Sequence, residues 1–239
     1  MIYAIGDLHF DHTGMKPMDV FGQNWVDHEN TIINNWKEIV TDDDLVILPG
    51  DISWALKLEE AKGDLERIDE LPGQKVILKG NHDYWWSSIS KLNSLGYDSI
   101  HFLQNNSIDY QSYSVAGTRG WISRDSEDFN EDDEKIFQRE LLRLRMSLEG
   151  IKDTQKIIAI VHYPPFNMDL SPNEFIHIMK EFNVSICVYG HLHSEGHKYA
   201  VEGNIDGIEI HCVSSDFINF KPRLIARSEK IEANSKEEL

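Results

Sequence analysis

The sequence predicts an α/β protein built as a two-sheet mixed β-sandwich flanked by helices. Short, continuous apolar runs rich in β-branched residues recur along the chain, which is typical of strands buried on both faces. Longer segments with helical spacing of apolar residues lie between them. In two regions, strand-like segments follow one another without a helix. This departure from strict alternation indicates a mixed sheet or two packed sheets with helices outside.

The strands and helices can be placed in order along the chain. Buried strands are predicted at residues 2–5, 45–48, 76–78, 157–161 and 185–189. Amphipathic helices are predicted at residues 25–40, 56–71, 131–148 and 173–182. The last of these helices follows Pro172, and proline is common where helices begin.

The regions outside this alternation are also interpretable. Residues 100–117 resemble a hairpin-like pair of strands around the turn residues Asn105 and Asn106. Two more strand-like segments, "GIEIHCVSS" and "RLIARS", lie near the end of the chain. The very acidic residues 125–134 predict a solvated loop. We expect a single domain over residues 1–228 and a polar tail over residues 229–239.

The composition narrows the possible partners. The chain has 239 residues, a hydrophobic share of 41% and a formal net charge of −18, so it can bury one substantial core. An acidic chain without a stripe of Lys and Arg repels polyphosphate backbones, which argues against extended nucleic acid as a partner. The two cysteines, Cys187 and Cys212, lie in apolar runs, which argues against a disulfide framework and fits a reducing compartment.

No part of the sequence predicts membrane association. No apolar run approaches the roughly 20 residues of a membrane span. The first residues, "MIYAIGDLHF", carry an early acid and lack the basic region of a signal peptide. We therefore expect a cytoplasmic protein with no membrane partner. The sequence leaves the oligomeric state open.

Polar side chains of one chemical kind follow five of the predicted strands. They are Asp7 and His9 in "GDLH", Asp51 in "PGD", Asn81, His82 and Asp83 in "GNHD", His162, and finally His191 and His193 in "GHLH". A lone Asp or His at a strand end is more often a turn, cap or structural residue. Five strand ends with the same chemistry instead predict a binding site, because strand ends of an α/β sheet lie along one edge.

The residue types indicate a metal site. Asp7 and His9 are two apart, as are His191 and His193, and in extended backbone such pairs point to the same side. The glycines before these motifs allow sharp turns. Oxygen and imidazole ligands without cysteine suit Mn, Fe, Zn or Co. Two ions sharing a carboxylate explain the number of candidate ligands: Asp7, His9, Asp51, Asn81, His162, His191 and His193.

The ordered motifs "GDLH", "GD", "GNHD", "H" and "GHLH", between Gly6 and His193, resemble those of the metallophosphoesterase superfamily. These proteins are also called calcineurin-like phosphoesterases, and the chain is similar to their small bacterial phosphohydrolases. The resemblance implies a four-layer αββα fold and two divalent metal ions. By position, it implies Asp7, His9 and His193 at the first metal, Asn81, His162 and His191 at the second, and Asp51 bridging both.

The resemblance also implies a reaction. It is hydrolysis of a small-molecule phosphomonoester or phosphodiester by in-line attack of a metal-bridging hydroxide. His82 would stabilise or protonate the leaving oxygen, and Asp83 would orient the His82 ring. The stretch "GDISWALK" lacks the Asp-Arg pair of phosphoprotein phosphatases, which argues against that activity. A nuclease and a metal-bound, non-catalytic scaffold remain as alternatives, although no ligand and no catalytic histidine is missing.

Two further features have both a functional and a structural interpretation. Arg119 lies between two glycines in "AGTRGW" and is a candidate substrate-binding residue, because arginine binds phosphate bidentately. An ordinary surface arginine in a hairpin loop fits equally well. The aromatic residues of "HDYWW" and the nearby Trp54 could stack on a nucleobase or an aryl group, or pack in the core.

Overall fold

The computed structural model describes residues 1–152 and 155–227. Its strands are β1 (Ile2–Ala4), β2 (Leu45–Leu48), β3 (Gln74–Leu78), β4 (Ile100–Leu103), β5 (Ser107–Tyr110), β6 (Tyr113–Thr118), β7 (Lys156–Val161), β8 (Ile186–Tyr189), β9 (Gly203–Ile205), β10 (Ile208–Cys212) and β11 (Arg223–Ala226). Its α-helices are α1 (His28–Ile39), α2 (Leu58–Asp69), α3 (Ile89–Asn93), α4 (Glu131–Leu148) and α5 (Glu174–Glu181). Three short 3₁₀ helices cover Met18–Phe21, Gln23–Trp25 and Ser194–Tyr199.

The strands form two mixed sheets, as the sequence predicts. The first sheet has the order β11-β1-β2-β3-β4, and the second has the order β5-β6-β7-β8-β10-β9. Neighbours from β1 to β4 are parallel, and only the edge strand β11 runs antiparallel to its neighbour. In the second sheet, β6, β7, β8 and β10 are parallel, with antiparallel edges β5 and β9. The carboxyl ends of the parallel strands therefore share one end of each sheet.

Strand β7 shows how the layers are stacked. Its alternate residues Ile158 and Ile160 pack in the cluster that includes the first sheet. Ala159 and Val161 pack instead with the buried faces of α4 and α5. Because successive strand residues point to opposite faces, the second sheet is covered on both sides. The buried faces of α1 and α2 belong to the cluster of the first sheet, which gives the four-layer αββα arrangement.

The predicted hairpin over residues 100–117 is wrong. Strand β4 pairs with β3 in the first sheet, whereas β5 pairs with β6 in the second. The turn at Asn105, whose φ is +61°, carries the chain from one sheet to the other. The true hairpin joins β5 and β6 through Gln111, whose φ is +53°. Turn residues indicate where the chain bends. Which strands pair depends instead on which sheet edge is free.

The acidic loop prediction is partly wrong. Helix α4 begins at Glu131, because Asn130 accepts hydrogen bonds from the backbone of Asp132 and Asp133, and Asp133 bonds back to the backbone of Asn130. Carboxylates in the first turn also suit the positive end of the helix dipole. The proposed tail over residues 229–239 lies outside the described residues. The domain boundary at residue 228 therefore stays a prediction.

Two other expectations concern the whole chain. None of the helices in the described ranges has the length and apolar character needed to cross a bilayer. Cys187 and Cys212 are both free and buried in neighbouring strands. Burial raises the pKa of both thiols, so they pack as apolar side chains.

Candidate metal centre

The candidate ligands meet where the two sheets are joined. Backbone beyond β1 and β10 continues as a parallel bridge between Gly6 and Ser214, and the Gly6 N–H donates to the Val213 carbonyl at 2.7 Å. Asp7 follows this bridge. The sequence predicts that the site lies along one edge of one sheet. The structure instead brings together strand ends from both sheets.

A first cluster contains one carboxylate and two imidazoles. Ligand atoms of Asp7, His9 and His193 lie within 4.8 Å of one another. The His193 Nε2 atom is 3.6 Å from Asp7 Oδ1. Among the described residues, His9 Nδ1 and His193 Nε2 are buried without a hydrogen-bond partner. Unpartnered buried nitrogens beside a buried carboxylate fit a cation site.

A second cluster contains Asn81, His162 and His191. Asn81 Oδ1 is 2.5 Å from His162 Nε2 and 3.0 Å from His191 Nδ1. His162 Nδ1 donates to the Pro49 carbonyl at 2.9 Å, which leaves Nε2 as an acceptor. An amide oxygen and an acceptor nitrogen therefore face each other. A cation bound by both atoms would satisfy them, so this set also fits a metal.

Asp51 lies between the two clusters. Its Oδ2 atom is 3.8 Å from His9 Nε2 and 3.6 Å from His162 Nε2. Burial, followed by the neighbouring carboxylates of Asp83 and Asp7, raises the pKa of Asp51 well above its usual range. A divalent cation on either side would offset that repulsion. The structure thus brings all seven predicted ligands together, with Asp51 in the shared position.

The local backbone differs from the extended conformation expected for the first motif. Asp7, His9, Asp51 and His191 have φ values of +57°, +47°, +54° and +74°. The Asp7 N–H donates to the Gly50 carbonyl at 2.9 Å, and the His9 N–H donates to the Asp51 carbonyl at 3.0 Å. Such conformations cost about 1–3 kcal/mol each and cluster at functional sites. Paired left-handed turns, rather than extended backbone, aim Asp7 and His9 at one point.

The motif glycines are required mainly for close approach. A Cβ atom at Gly80 would lie 2.1 Å from Asp51 Oδ1, and one at Gly190 would lie 2.4 Å from Asp7 Oδ2. Either contact would displace a candidate ligand. Both requirements apply at Gly50, because a Cβ atom would lie 2.6 Å from Gly80 Cα and the φ of +99° is itself unfavourable for other residues.

Asp83 does not take the role predicted for it. Its carboxylate accepts hydrogen bonds from the backbone N–H groups of Gly80, Asp51 and Ile52 at 2.7–2.9 Å. The Trp85 Nε1 atom also donates to it, at 3.0 Å. Asp83 is fully buried and ties the loop after β2 to the loop after β3. The backbone amides that follow β2 compete successfully for this carboxylate, so it orients two loops rather than the His82 ring.

The His82 ring lies over an aromatic platform at the edge of the first cluster. Its ring centroid is 4.8 Å from that of Trp54 and 5.8 Å from that of His9. Trp54 stacks on His9 at 4.7 Å with an interplanar angle of 23°. The His82 N–H donates to Asp51 Oδ1 at 2.8 Å. His82 is half-buried and therefore accessible to a ligand at the centre.

Sequence reasoning missed Asp216. Its Oδ1 atom accepts from His193 Nδ1 at 2.8 Å, and its Oδ2 atom accepts from the Ser194 N–H at 3.1 Å. Burial opposes protonation, but the hydrogen bond to Asp216 and the negative charges of Asp7 and Asp216 raise the pKa of His193 to about 10. Asp216 fixes the ring so that Nε2 faces Asp7. The signal was present, since Asp216 follows a strand-like run as the other site residues do.

Arg119 contributes to the centre through its backbone. The Arg119 carbonyl accepts from the His162 N–H at 3.0 Å and from the Tyr163 N–H at 3.1 Å. Its guanidinium lies 4.3 Å above the Trp121 ring and 3.9 Å from Glu140 Oε1. The side chain therefore faces a cleft beside the clusters. Its role in substrate binding stays a prediction.

The fold and the assembled candidate ligands are those expected of a metallophosphoesterase. Residues 1–195 match the family of calcineurin-like phosphoesterases. The chain belongs to the calcineurin-like phosphoesterase family. Membership supports metal-dependent hydrolysis of phosphoesters as the class of activity and divalent metals as its cofactors.

The chain is also similar to individual proteins. The chain is 29% identical over 170 residues to the uncharacterized protein MJ1445 of Methanocaldococcus jannaschii, covering 71% of this chain and 88% of that protein. Phosphopantetheinyl hydrolase from Mycobacterium tuberculosis has a similar structure, with a TM-score of 0.56, 15% identity and 89% of each chain covered. TT1561 of Thermus thermophilus matches with a TM-score of 0.51, 14% identity and coverage of 80% and 81%. These two structures support the fold alone.

Proposed function

We propose that the protein is a dimetal-dependent phosphoesterase that hydrolyses a small-molecule phosphomonoester or phosphodiester. The observation that carries this proposal is the position of Asp51. A single oxygen, Oδ2, is 3.8 Å from a nitrogen of the first cluster and 3.6 Å from a nitrogen of the second. A carboxylate shared in this way suits two ions that act on one phosphoryl group.

The two ions are of the kind that take mixed oxygen and imidazole ligands, namely Mn, Fe, Zn or Co. Asp7, His9 and His193 would hold one of them, and Asn81, His162 and His191 the other, with Asp51 between them. When bound, such ions supply an acidified water and positive charge for the phosphoryl oxygens.

His82 is the residue proposed to act on the leaving group. Its ring packs against Trp54, and its backbone N–H donates to Asp51 Oδ1 at 2.8 Å, which holds the residue beside the centre. From there the imidazole can donate a proton to the leaving oxygen. Burial and then the nearby His162 lower the pKa of His82. The protonated fraction at neutral pH is therefore small and matters most for poor leaving groups.

A small organic ester fits the surroundings of the centre. A cavity of about 200 Å³, lined by Trp121, Tyr163, His191 and Leu192 among others, adjoins the second cluster. It offers an apolar surface to the organic part of the ester. The net charge of −18 disfavours an extended nucleic acid. Two free, buried cysteines are compatible with the cytoplasmic location that we propose.

The test combines metal content with a substrate panel. The protein is loaded with Mn, Fe, Zn, Co or Mg and assayed on phosphomonoesters, phosphodiesters and single-stranded DNA. We expect two equivalents of metal by mass spectrometry and hydrolysis of a small ester. Asp51→Asn should lower the occupancy of both ions, because its charge serves each.

Three results would contradict the proposal in different ways. Two full equivalents and normal activity in Asp51→Asn would remove the bridging role. Two bound ions without hydrolysis of any ester would indicate a non-catalytic scaffold. Faster hydrolysis of DNA than of every small ester would indicate a nuclease.

A further inference from the structure

A cleft of about 370 Å³ lies beside the metal centre, between the ends of β3 and β6 and against α4. Four of its lining residues are cationic and one is acidic: Lys79, Arg119, Arg139 and Arg143, with Glu140. The whole chain has 23 Lys and Arg against 41 Asp and Glu. The cleft therefore reverses the sign of charge that prevails over the rest of the molecule.

Glu140 does not neutralise this positive charge. It is fully buried and accepts from Arg143 Nη1 at 2.8 Å and from Arg139 Nε at 3.3 Å, with Arg119 Nη2 at 3.9 Å. Its other oxygen, Oε2, accepts from the Thr118 hydroxyl at 2.5 Å. One carboxylate is thus shared by three guanidinium groups, which it holds in place.

Lys79 adds a fourth positive charge. Within the described ranges, its ammonium group makes no ion pair. With Glu140 as the single acidic residue of the lining, the cleft carries an excess of three positive charges. Guanidinium groups, which form bidentate hydrogen bonds, and an unpaired ammonium group are typical ligands of phosphate and carboxylate.

The cleft adjoins the second metal cluster. Lys79 is two residues before Asn81 in the chain. Arg119 accepts the His162 N–H through its backbone, at 3.0 Å, while its side chain lines the cleft. The cleft lies at the carboxyl ends of β3 and β6, and the Trp121 and Tyr163 rings lie between the Arg119 guanidinium and the His191 ring.

We propose that the cleft binds a second anionic group, a phosphate or a carboxylate, of the substrate whose phosphoester is hydrolysed at the metal centre. This inference rests on the proposed function and narrows its substrate class. Substrates would carry two anionic groups joined by a short organic spacer. The position of the cleft next to the second cluster favours the substrate itself over a free anion as the source of this group.

The test uses the Mn-loaded protein and matched pairs of ligands. Alkanediol bisphosphates with spacers of three to seven carbons are compared with the corresponding ω-hydroxyalkyl monophosphates. Binding is measured by calorimetry and hydrolysis by phosphate release. We expect one spacer length to bind at least tenfold more tightly than its monophosphate.

The main variant is Lys79→Gln. Because Lys79 makes no ion pair with any described residue, its replacement leaves no carboxylate among them unpaired. We expect it to weaken binding of the preferred bisphosphate about tenfold, and to weaken monophosphate binding much less. Arg143→Gln is the second variant, because glutamine can still donate to Glu140. The matched control is Lys37→Gln, an exposed lysine of α1, and both ligands should bind to it as to the wild type.

The outcomes separate this inference from the proposed function. Equal affinity for bisphosphates and monophosphates, with both hydrolysed, would overturn the cleft proposal alone. Preferential binding of a bisphosphate without hydrolysis would overturn the phosphoesterase proposal alone. If inorganic phosphate altered monophosphate hydrolysis, and Lys79→Gln removed that response without affecting bisphosphate affinity, the cleft would bind a free anion and the substrate assignment would be wrong.

Discussion

Asn81 and His82 are adjacent in the chain and serve different parts of the site. Asn81 Oδ1 lies 2.5 Å from His162 Nε2, within the second cluster. The His82 ring instead packs on Trp54, and the backbone N–H of His82 donates to Asp51 Oδ1. This divergence supports the interpretation of Asn81 as a ligand and His82 as a residue that faces the substrate.

Replacement of His82 tests its role as an acid. His82→Ala should keep both metals and lower kcat about 10²–10⁴-fold on an alkyl phosphate. The loss should be much smaller on a nitrophenyl phosphate, because nitrophenolate leaves without a proton. Metal content and kcat on both esters are measured. Equal loss on both esters would assign His82 to phosphoryl binding, and loss of metal would make it a ligand.

The same assignment has a pH signature. Burial and the nearby His162 lower the pKa of His82 from 6.5. A general acid works when protonated, so kcat on the alkyl ester should fall as pH rises through that pKa. This limb should be absent in His82→Ala and on the nitrophenyl ester. If kcat on the alkyl ester rose with pH in the same way in the wild type and in His82→Ala, proton donation by His82 would be excluded.

His193 couples metal binding to pH. Despite burial, Asp216 and Asp7 raise the pKa of His193 to about 10, so its ring is protonated at pH 7 in the metal-free protein. Ligation requires the neutral ring. Metal binding should therefore release about one proton from His193 at pH 7, and affinity should increase as pH rises toward 10. Calorimetry in buffers of different ionisation enthalpy measures the released proton.

Asp216→Asn is the informative variant for this coupling. The amide can still accept from His193 Nδ1 but contributes no charge, so the pKa of His193 should fall. Proton release at pH 7 should decrease, and metal affinity should drop about 10–100-fold. Unchanged proton release would show that Asp216 does not control the protonation of His193.

At the scale of elements, Asp83 connects two strand ends. Its carboxylate accepts the N–H groups of Asp51 and Ile52 after β2 and of Gly80 after β3. Those loops carry Asp51 and Asn81. The loops keep their relative position because one buried anion satisfies several orphan donors from both.

Asp83→Asn should therefore act on the loops rather than only on His82. The amide replaces one acceptor with a donor that faces other donors, so we expect a loss of about 3 kcal/mol in the free energy of unfolding and weaker binding of both metals. Denaturant unfolding and metal content are measured. The control is Asp98→Asn, an exposed aspartate. Normal stability and metal content with a selective loss of kcat would restore the His82-orienting role.

The chain from β4 to β6 shows where prediction of elements failed. The sequence places strands at both ends of residues 100–117 and turn residues at Asn105 and Asn106, and each of these features is present. The partners differ, because β4 completes the first sheet and β5 begins the second. Which edge a strand joins depends on long-range packing, which short turn signals do not encode.

At the scale of the whole molecule, the site belongs to neither sheet alone. Three strand ends that carry candidate ligands come from the first sheet, after β1, β2 and β3, and two come from the second, after β7 and β8. The bridge between Gly6 and Ser214 joins the sheets at this end. Bound metals would therefore connect both halves of the sandwich. The cationic cleft lies beside the crossover from β4 to β5, at the carboxyl ends of β3 and β6.

The sequence alone determined the fold class and the set of candidate ligands. Buried strands of continuous apolar residues and helical periodicity are local properties, so the α/β alternation is readable along the chain. The motifs from "GDLH" to "GHLH" likewise contain all seven residues that the structure assembles.

Only the tertiary structure decided how these residues are aimed and supported. The left-handed backbone at Asp7 and His9 depends on hydrogen bonds to the loop after β2, more than forty residues away along the chain. Asp216 reaches His193, and Asp83 reaches the loop after β2, through contacts that no local pattern specifies. The cleft around Glu140 also forms only when α4 packs against β6. These features arise from pairs of residues that are distant in sequence, and local propensity carries no information about such pairs.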